Sequence, residues 1–452
     1  MKNYQYRLIA RVVVVAATPL AVGSGQKEID TDATVAKDVN GLPYIPGSSI
    51  AGVVRHALED KGCKLNGFFG YQQKDNGQGS EIIFSEAKMI GKEGKAIDGL
   101  QVVDFSDTFY SHFNFLPIRQ NVRIGHKGVA EKAGKFDEEV VFKGTRFCFE
   151  VEAVSESKEN GNFNAIVDAL YNAELRIGGG SRKGFGKIEV KSCKTKVVDL
   201  ANPDEMDWYL NHTSDLSQPF DGDDTTKETY SNATVYTLRL QPEDFFLFGA
   251  GFGDDDSDLV PVEEKMVVWK QEGGVEKPEV KQHKLLIPAS SVKGALAHRV
   301  AFHYNKKHER WAEDVSTKEQ LEDLTANNPA VVALFGSADN NNKQRGNVLF
   351  EDIIEDRLTE KIFNHVQIDR FTGGAIDGAL FQEKATYGKG ACFTTRLTLL
   401  KDVDDDVQEA LELALEDICK GMLPLGGGTT KGYGCFEGTL LKNNEVLFPK
   451  QD

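Results

Sequence analysis

The chain has 452 residues, 40% of them hydrophobic and 27% charged, a size and composition suited to two or three soluble domains. Its net charge of −17 excludes a protein that coats nucleic acid through an overall basic surface, but leaves room for a local basic groove. The longest apolar run, "VVVVAA" after Arg11, is too short to span a bilayer and the N-terminus has no secretory pattern, so a cytoplasmic location is expected; six scattered cysteines without a CxxC pair give neither a zinc site nor a disulfide framework.

In chain order, "YRLIARVVVV" reads as the first strand, rich in β-branched residues. A loop, "GSGQKEIDTDATVAKDVNGLPYIPGSS", leads into "SSIAGVVRHALED", whose apolar spacing of i, i+3, i+4 predicts a helix with Ser48 and Ser49 at its N-cap. "IIFSEA" and "NVRIGHKGVA" follow, then a second helix, "FNAIVDALYNAEL", and the glycine-rich stretch "LRIGGGSRKGFGKIEV". Residues 201–232 are acidic and poorly patterned, which predicts a linker, with Trp208, Tyr209 and Leu210 placed to dock on a neighbour.

From residue 233 the same order returns. "TVYTLRLQ" opens it; "LIPASSVKGALAHRV" matches "YIPGSSIAGVVRHAL", with Ser290 and Ser291 at the expected N-cap. "LFG" matches "FFG", "VLFEDI" matches "IIFSEA", "HVQIDRFTGGA" matches "NVRIGHKGVA", and "LPLGGGTTKGYGCFEG" closes the second set. Five landmarks in one order mark an internal duplication. The expected organisation is a first domain at 1–200, the acidic linker at 201–232 and a second domain at 233–452. The predicted fold class is α+β, with two tandem ferredoxin-like β-α-β-β-α-β units carrying insertions, one of them "YNKKHERWAEDVSTKEQLEDLTANNPA". The remaining acidic runs, such as "GDDDSD" and "KDVDDD", read as solvated faces.

The glycine stretch admits several chemistries. A nucleotide P-loop needs Ser or Thr after its lysine and follows a strand; here glycine follows the lysine and the loop follows a helix. "KGFG" and "KGYG" open like an RNA-recognition strand, but Lys187 and Cys435 stand where a stacking aromatic belongs. A backbone cradle for phosphate remains, formed by Gly179, Gly180 and Ser181 with Arg182 and Lys183, and by Gly427, Gly428 and Thr429 with Lys431. Against it stands a plain helix-to-strand turn that needs glycine for packing.

"GGGSRKGFG" together with "YIPGSSIAGVVR" resembles the RAMP superfamily of CRISPR-associated proteins, whose signature is a glycine-rich loop before the last strand. "LPYIPGSSIAG" resembles the repeated backbone subunit of type III effector complexes, and "IDRFTGGAIDGALFQEKATYGKG" its β-hairpin thumb. Two such RRM-like domains in one chain resemble the fused backbone subunits of type III-D-like systems. The resemblance implies binding of a guide RNA and of a complementary target RNA. It also implies assembly with neighbouring backbone subunits, a large polymerase/cyclase-like subunit and a small subunit, with no membrane. Further guide contacts are expected at Ser48, Ser49, Ser290 and Ser291, where the free N–H groups and positive dipole end of each helix start suit a phosphate, and at Arg55, Arg123, Lys293, Arg299 and Arg370, on the two helices and the two thumbs. The family's cleaving residue is an aspartate in the loop before the "IPGSS" helix. "DATVAKD" sets Asp32 in that place with Asp30 as rival; "DLVP" suggests Asp258, one residue out of register, with Asp256 next. Such an aspartate helps deprotonate the ribose 2′-hydroxyl or holds a divalent ion, most simply Mg²⁺. His56, His126, His298 and His365 recur near shared motifs and read mainly as structural or RNA-contacting. The first thumb has Gly125 where the second has Asp369, so its contacts differ. The other readings are a scaffold that binds guide RNA without cutting, a guide-processing endoribonuclease, and an unrelated duplicated metabolic enzyme.

Overall fold

The structure is a computed structural model that describes residues 4–26, 31–63, 65–73, 76–125, 128–337 and 343–449. Asp30 and His126 lie outside the described residues.

In the first unit, strand β1 (Tyr6–Ala16) leads to helix α1 (Gly47–Glu59) and then to the short strand β2 (Ile82–Phe84). A hairpin, β3 (Ile118–Ile124) and β4 (Ala130–Glu139), precedes β5 (Arg146–Ser155), helix α2 (Gly161–Leu170) and β6 (Ile188–Asp199). The sheet order is β6-β1-β5-β2, all antiparallel, which is the ferredoxin-like arrangement.

The second unit repeats this order with β7 (Thr234–Pro242), a long hairpin of β8 (Glu263–Glu272) and β9 (Val275–Ile287), and helix α3 (Ala289–Lys307). Next come β10 (Val348–Phe350), the thumb hairpin β11 (Glu360–Ile368) and β12 (Ala375–Tyr387), β13 (Phe393–Leu399), helix α4 (Asp405–Cys419), and β14 (Phe436–Lys442). A final strand, β15 (Glu445–Phe448), lies outside β14, giving the order β10-β13-β7-β14-β15.

Strand alternation explains the layers. Leu8, Ala10, Val12 and Val14 of β1 face one side and are buried with Ile50 and Val54 of α1 and Ile166 and Leu170 of α2. Tyr236, Leu238 and Leu240 do the same against Leu296 and Val300 of α3 and Leu411 and Leu415 of α4. No helix among the described residues is long and apolar enough to cross a membrane.

Three expectations change. The N-caps are Pro46 and Pro288, so Ser48, Ser49, Ser290 and Ser291 sit inside the first turns and make no capping hydrogen bond. Proline fits these positions because its fixed φ suits a helix entrance and it brings no N–H to satisfy.

The second change concerns the linker. It forms a short helix, Pro203–Asn211, and then lies across the face of the first sheet that α1 and α2 leave open. The Tyr209 hydroxyl donates to Glu152 at 2.6 Å, Trp208 lies over Lys196, and Phe220 stacks under Arg11. Leu216 is buried against Ile90 and Cys148, while Leu210 stays exposed. An acidic, polar sequence hides these four apolar anchors because they are too widely spaced to give a period.

The third change is the β8–β9 hairpin, which was not anticipated, although "VVWKQEGGVEKPEV" carries a Gly-Gly turn between β-prone runs. This hairpin reaches back to the first unit: Val267 joins the first unit's core, and the Trp269 indole donates to the Gly144 carbonyl at 2.9 Å.

Candidate functional site

Each glycine-rich loop is folded by close backbone approach. A side chain on Gly178 would meet the Ala21 carbonyl oxygen at 2.5 Å, and one on Gly426 would meet that of Leu247 at 2.5 Å. The amides of Gly179 and Gly427 donate to those same two oxygens, both at 2.7 Å. The amides of Lys183, Phe185 and Gly186 also donate to carbonyls of the loop or of Pro19. The loops are therefore turns that need glycine for packing, and their amides at Gly179 and Gly427 are not open to an anion. Each loop also carries side chains that reach the thumbs.

Those side chains join a constellation that appears twice. In the first unit the Lys183 ammonium pairs with Glu138 on thumb strand β4 at 2.6 Å and lies over the Phe136 ring. In the second, Lys431 pairs with Glu383 on thumb strand β12 at 3.0 Å and lies over Phe381. The glutamate is held from the first thumb strand as well, by the Asn121 amide at 3.2 Å in one unit and by His365 Nε2 at 2.7 Å in the other. Burial acts to raise the Glu383 carboxyl, but the hydrogen bonds from Lys431 and His365 prevail and hold it below the usual carboxylate range.

The aspartates complete the pattern. Asp32 Oδ2 accepts from the Asp137 amide at 3.2 Å, and Asp258 Oδ2 accepts from the Gln382 amide at 2.7 Å. In each unit that amide belongs to the residue immediately before the lysine-paired glutamate. The next residues, Ala33 and Leu259, bridge in parallel to Glu138 and Glu383. Asp32 and Asp258 thus hold equivalent places, both exposed at the edge of a thumb. Asp256 belongs to a turn, where its amide and that of Ser257 are capped by Asp254. Asp254 is itself pushed down to about 2, first by its hydrogen bond from Lys384. The Asp258 loop also touches the first thumb, since a side chain on Gly251 would meet Gln120 Oε1 at 2.7 Å.

The sequence-derived cations are distributed unevenly. Arg55 pairs with Glu59 on its own helix, and Arg299 with Asp417 of α4 at 2.5 Å, so neither joins the constellation. Arg123 and Arg370 are exposed on the two thumbs, Arg123 facing Glu131 at 3.6 Å. Arg182, Lys183 and Lys293 meet at the seam between the units. Arg182 Nε donates to the Gly346 carbonyl at 2.6 Å, and Arg345 reaches the Ser181 hydroxyl at 3.3 Å. Burial, with Arg345 and Arg176 nearby, pushes Arg182 down to about 10. Burial, with Lys183 and Arg182 nearby, lowers Lys293 as well. Like charges crowd at Arg182 and Lys293, neither of which forms an ion pair among the described residues, whereas Lys183 is held by Glu138; such crowding favours an incoming anion.

Below this cationic seam runs an ionic lock invisible in the sequence. Arg119, at the base of the first thumb, is buried and pairs with Glu264 of β8 at 2.7 Å and with Asp352 at 3.0 Å. Asp352 also accepts from the Ala289 amide at the start of α3 at 2.7 Å. The first amide of α3 is therefore already taken, and a carboxylate occupies part of the helix terminus that the sequence had assigned to phosphate. Gly184 lies against this junction: with φ +105°, its missing side chain would meet Ala289 Cβ at 2.7 Å. The corresponding Gly432, with φ +90°, has nothing within 4 Å. Gly184→Ala is expected to cost about 2–4 kcal/mol and Gly432→Ala about 1–2 kcal/mol, since both force a left-handed side chain and only the first also displaces a packed neighbour. Urea midpoints of the two variants check this; equal losses would count against a tight junction at Gly184.

Among the described residues no three of His, Cys, Asp and Glu converge to hold a metal. Mg²⁺ is usually held by one or two carboxylates together with water and substrate phosphates. An exposed Asp32 or Asp258 fits such a site once RNA supplies the phosphate.

Two ferredoxin-like units, each closed by a glycine-rich loop and bearing a hairpin thumb, define a class of tandem-domain proteins built around that loop. A model of the RAMP superfamily matches residues 14–189 and 273–437, and the chain belongs to that superfamily. Membership points to a CRISPR-associated, RNA-binding subunit. No curated protein matches the chain.

Proposed function

We propose that this chain is a fused backbone subunit of a type III effector complex, of type III-D-like organisation, which grips guide RNA and cleaves complementary target RNA at two places. The observation that carries the reading is the duplicated constellation: Asp32 with Phe136, Glu138 and Lys183, and Asp258 with Phe381, Glu383 and Lys431. Both aspartates sit where a thumb leaves its domain, the place at which a wedge between guide and target would expose a target phosphate. The thumbs suit a wedge, for Val122, Ile124 and Val129 are exposed on one, and Ile368 and Phe371 on the other.

In the proposed cleavage the target's 2′-oxygen attacks the adjacent phosphorus. Asp32 or Asp258 takes the 2′-hydroxyl proton, the bond to the 5′-oxygen breaks, and water protonates that oxygen. A 2′,3′-cyclic phosphate and a 5′-hydroxyl remain, and DNA, lacking the 2′-hydroxyl, is not cut. A divalent ion held by the aspartate would stabilise charge on the phosphate. Lys183 and Lys431, oriented by Glu138 and Glu383, stand near enough to the thumb edge to steady the scissile strand.

The seam cations would hold the guide backbone where the two units meet. The open Gly432 loop, the counterpart of the Gly184 loop that meets α3, offers a further backbone subunit a place to continue the row. Expression with a CRISPR array tests the reading: guide-length RNA should co-purify. Arg182→Glu combined with Lys293→Glu should weaken RNA binding and flatten its log–log salt dependence by about 0.7 for each phosphate no longer neutralised. Protein that purifies free of RNA, or a variant with an unchanged salt slope, would remove the proposal's basis.

A further inference from the structure

The two sheets differ on the face that the helices do not cover. On the first, β1 and β5 present Arg11 opposite Glu150 and Val13 opposite Cys148. Residues 203–224 lie over this face. Arg11 donates to the Gln218 carbonyl, His212 approaches Glu150 at 3.4 Å, and Asp223–Asp224 pair with the edge of β6. Cys148 and Arg11 are left 4% and 8% exposed.

On the second sheet, the same register positions hold Thr237 opposite Arg396 and Arg239 opposite Thr394. Here Arg239, Gln241, Thr394 and Arg396 are exposed, although β7 and β13 are interior strands of the sheet. Arg239 and Arg396 are diagonal cross-strand neighbours, a spacing at which like charges repel. Among the described residues neither makes an ion pair; Glu437 stands opposite Gln241 on β14, and Glu351, beyond the end of β10, is already paired with Lys187. The first sheet carries an arginine already paired with a glutamate, Arg11 with Glu150, and covers that pair with a chain segment. The second carries two unpaired arginines, and among the described residues no chain segment lies over them.

We propose that this patch docks a short acidic, aromatic-bearing segment of a partner protein, laid across β13, β7 and β14 as residues 203–224 are laid across the first sheet. Charge complementarity and the internal precedent select this occupant. The strap over the first sheet brings Trp208, Tyr209, Phe220 and a run of aspartates, and each aromatic lies by a cation of the sheet: Trp208 by Lys196, Tyr209 by Arg7, Phe220 by Arg11. Arg239 and Arg396 offer the same kind of support to a visiting aromatic and pair its carboxylates. RNA fits less well, since the patch of arginine, threonine and glutamine has no aromatic on which a base would stack. The inference does not depend on the cleavage reading, because it uses neither the aspartates nor the glycine-rich loops.

The test places the photocrosslinker benzoylphenylalanine at position 394 of the full chain, in the complex purified from cells that make it naturally. Irradiation should join this position to one segment of a partner protein, containing several carboxylates and at least one aromatic residue. Arg239→Glu with Arg396→Glu should lower retention of that partner at least tenfold, with thermal unfolding unchanged, and Arg239→Lys with Arg396→Lys should retain most of it. A crosslink to RNA, to a second copy of this chain or to a segment without acidic residues overturns the proposal. So does absence of any crosslink, or retention that survives charge reversal.

Discussion

Combined Asp32→Ala and Asp258→Ala substitution is expected to abolish cutting of a guide-complementary RNA while leaving guide binding intact. Each single change should remove one regularly spaced subset of cuts. The magnitude follows from the chemistry: losing a positioned base that removes the 2′-hydroxyl proton costs about 10²–10⁴-fold at that site. The structural cost is small. Each carboxylate is exposed and accepts one backbone amide, from Asp137 or Gln382, so its loss removes about 0.5–1.5 kcal/mol. Folding and RNA content should therefore match wild type, which separates a chemical defect from an assembly defect. Asp256→Ala is the internal control, because that residue sits in the preceding turn and, unlike Asp258, its side chain makes no hydrogen bond to the thumb backbone among the described residues. Gel analysis of an end-labelled target with Mg²⁺ present reads all four variants and the wild type. A double variant that still cuts at every position defeats the assignment, as does a wild-type complex that never cuts. The latter outcome would favour the scaffold, and cutting of precursor guide RNA by the protein alone would favour the guide-processing reading.

The duplication that makes this control possible was legible in the sequence, and the reason is local. A glycine-rich turn, a Pro-Gly-Ser or Pro-Ala-Ser helix entrance and β-branched runs are each dictated by neighbours a few residues away. Two copies of such short signals reinforce each other, so the fold of both units followed. The spacing of "DLVP" points to Asp258, and the fold gives Asp258 and Asp32 equivalent places at their thumbs, a likeness the two loop sequences alone do not display. The partners of the lysines did not come through. Glu138 and Glu383 look like any thumb-strand acids until the fold brings the glycine-rich loop across them. Arg119 is harder still: its partners, Glu264 and Asp352, lie 145 and 233 residues away in the other unit. The strap was missed for a different reason. Its anchors, Trp208, Tyr209, Leu216 and Phe220, follow the shape of a sheet face, which has no sequence period. The helix caps misled because serine at an apparent helix start is the commoner cap, whereas proline two or three residues earlier already ends the preceding loop.

That long-range lock yields the second large effect. Arg119→Met is expected to destabilise the protein by about 3–5 kcal/mol, the range for removing one partner from a buried charged group. The guanidinium answers two buried carboxylates, and neither has another cation paired to it among the described residues. Glu264→Gln should cost less, because Arg119 with Asp352 then remains as a neutral pair. Arg119→Met together with Glu264→Gln and Asp352→Asn should recover much of the loss, since no uncompensated charge is left behind. The pH dependence has a definite sign. Burial already raises the Asp352 carboxyl in the intact protein, and removing Arg119 must raise it further. A carboxyl whose folded value lies above its unfolded one binds more protons when folded, so stability falls as pH rises through that interval. The Arg119→Met defect should accordingly be largest at neutral pH and shrink as pH falls towards the ordinary carboxylate range, about 4. Urea midpoints at several pH values measure it. A defect no larger than that of Glu264→Gln, or one that grows on acidification, would mean that the seam between the two units is held by the β8–β9 hairpin's apolar contacts rather than by this lock.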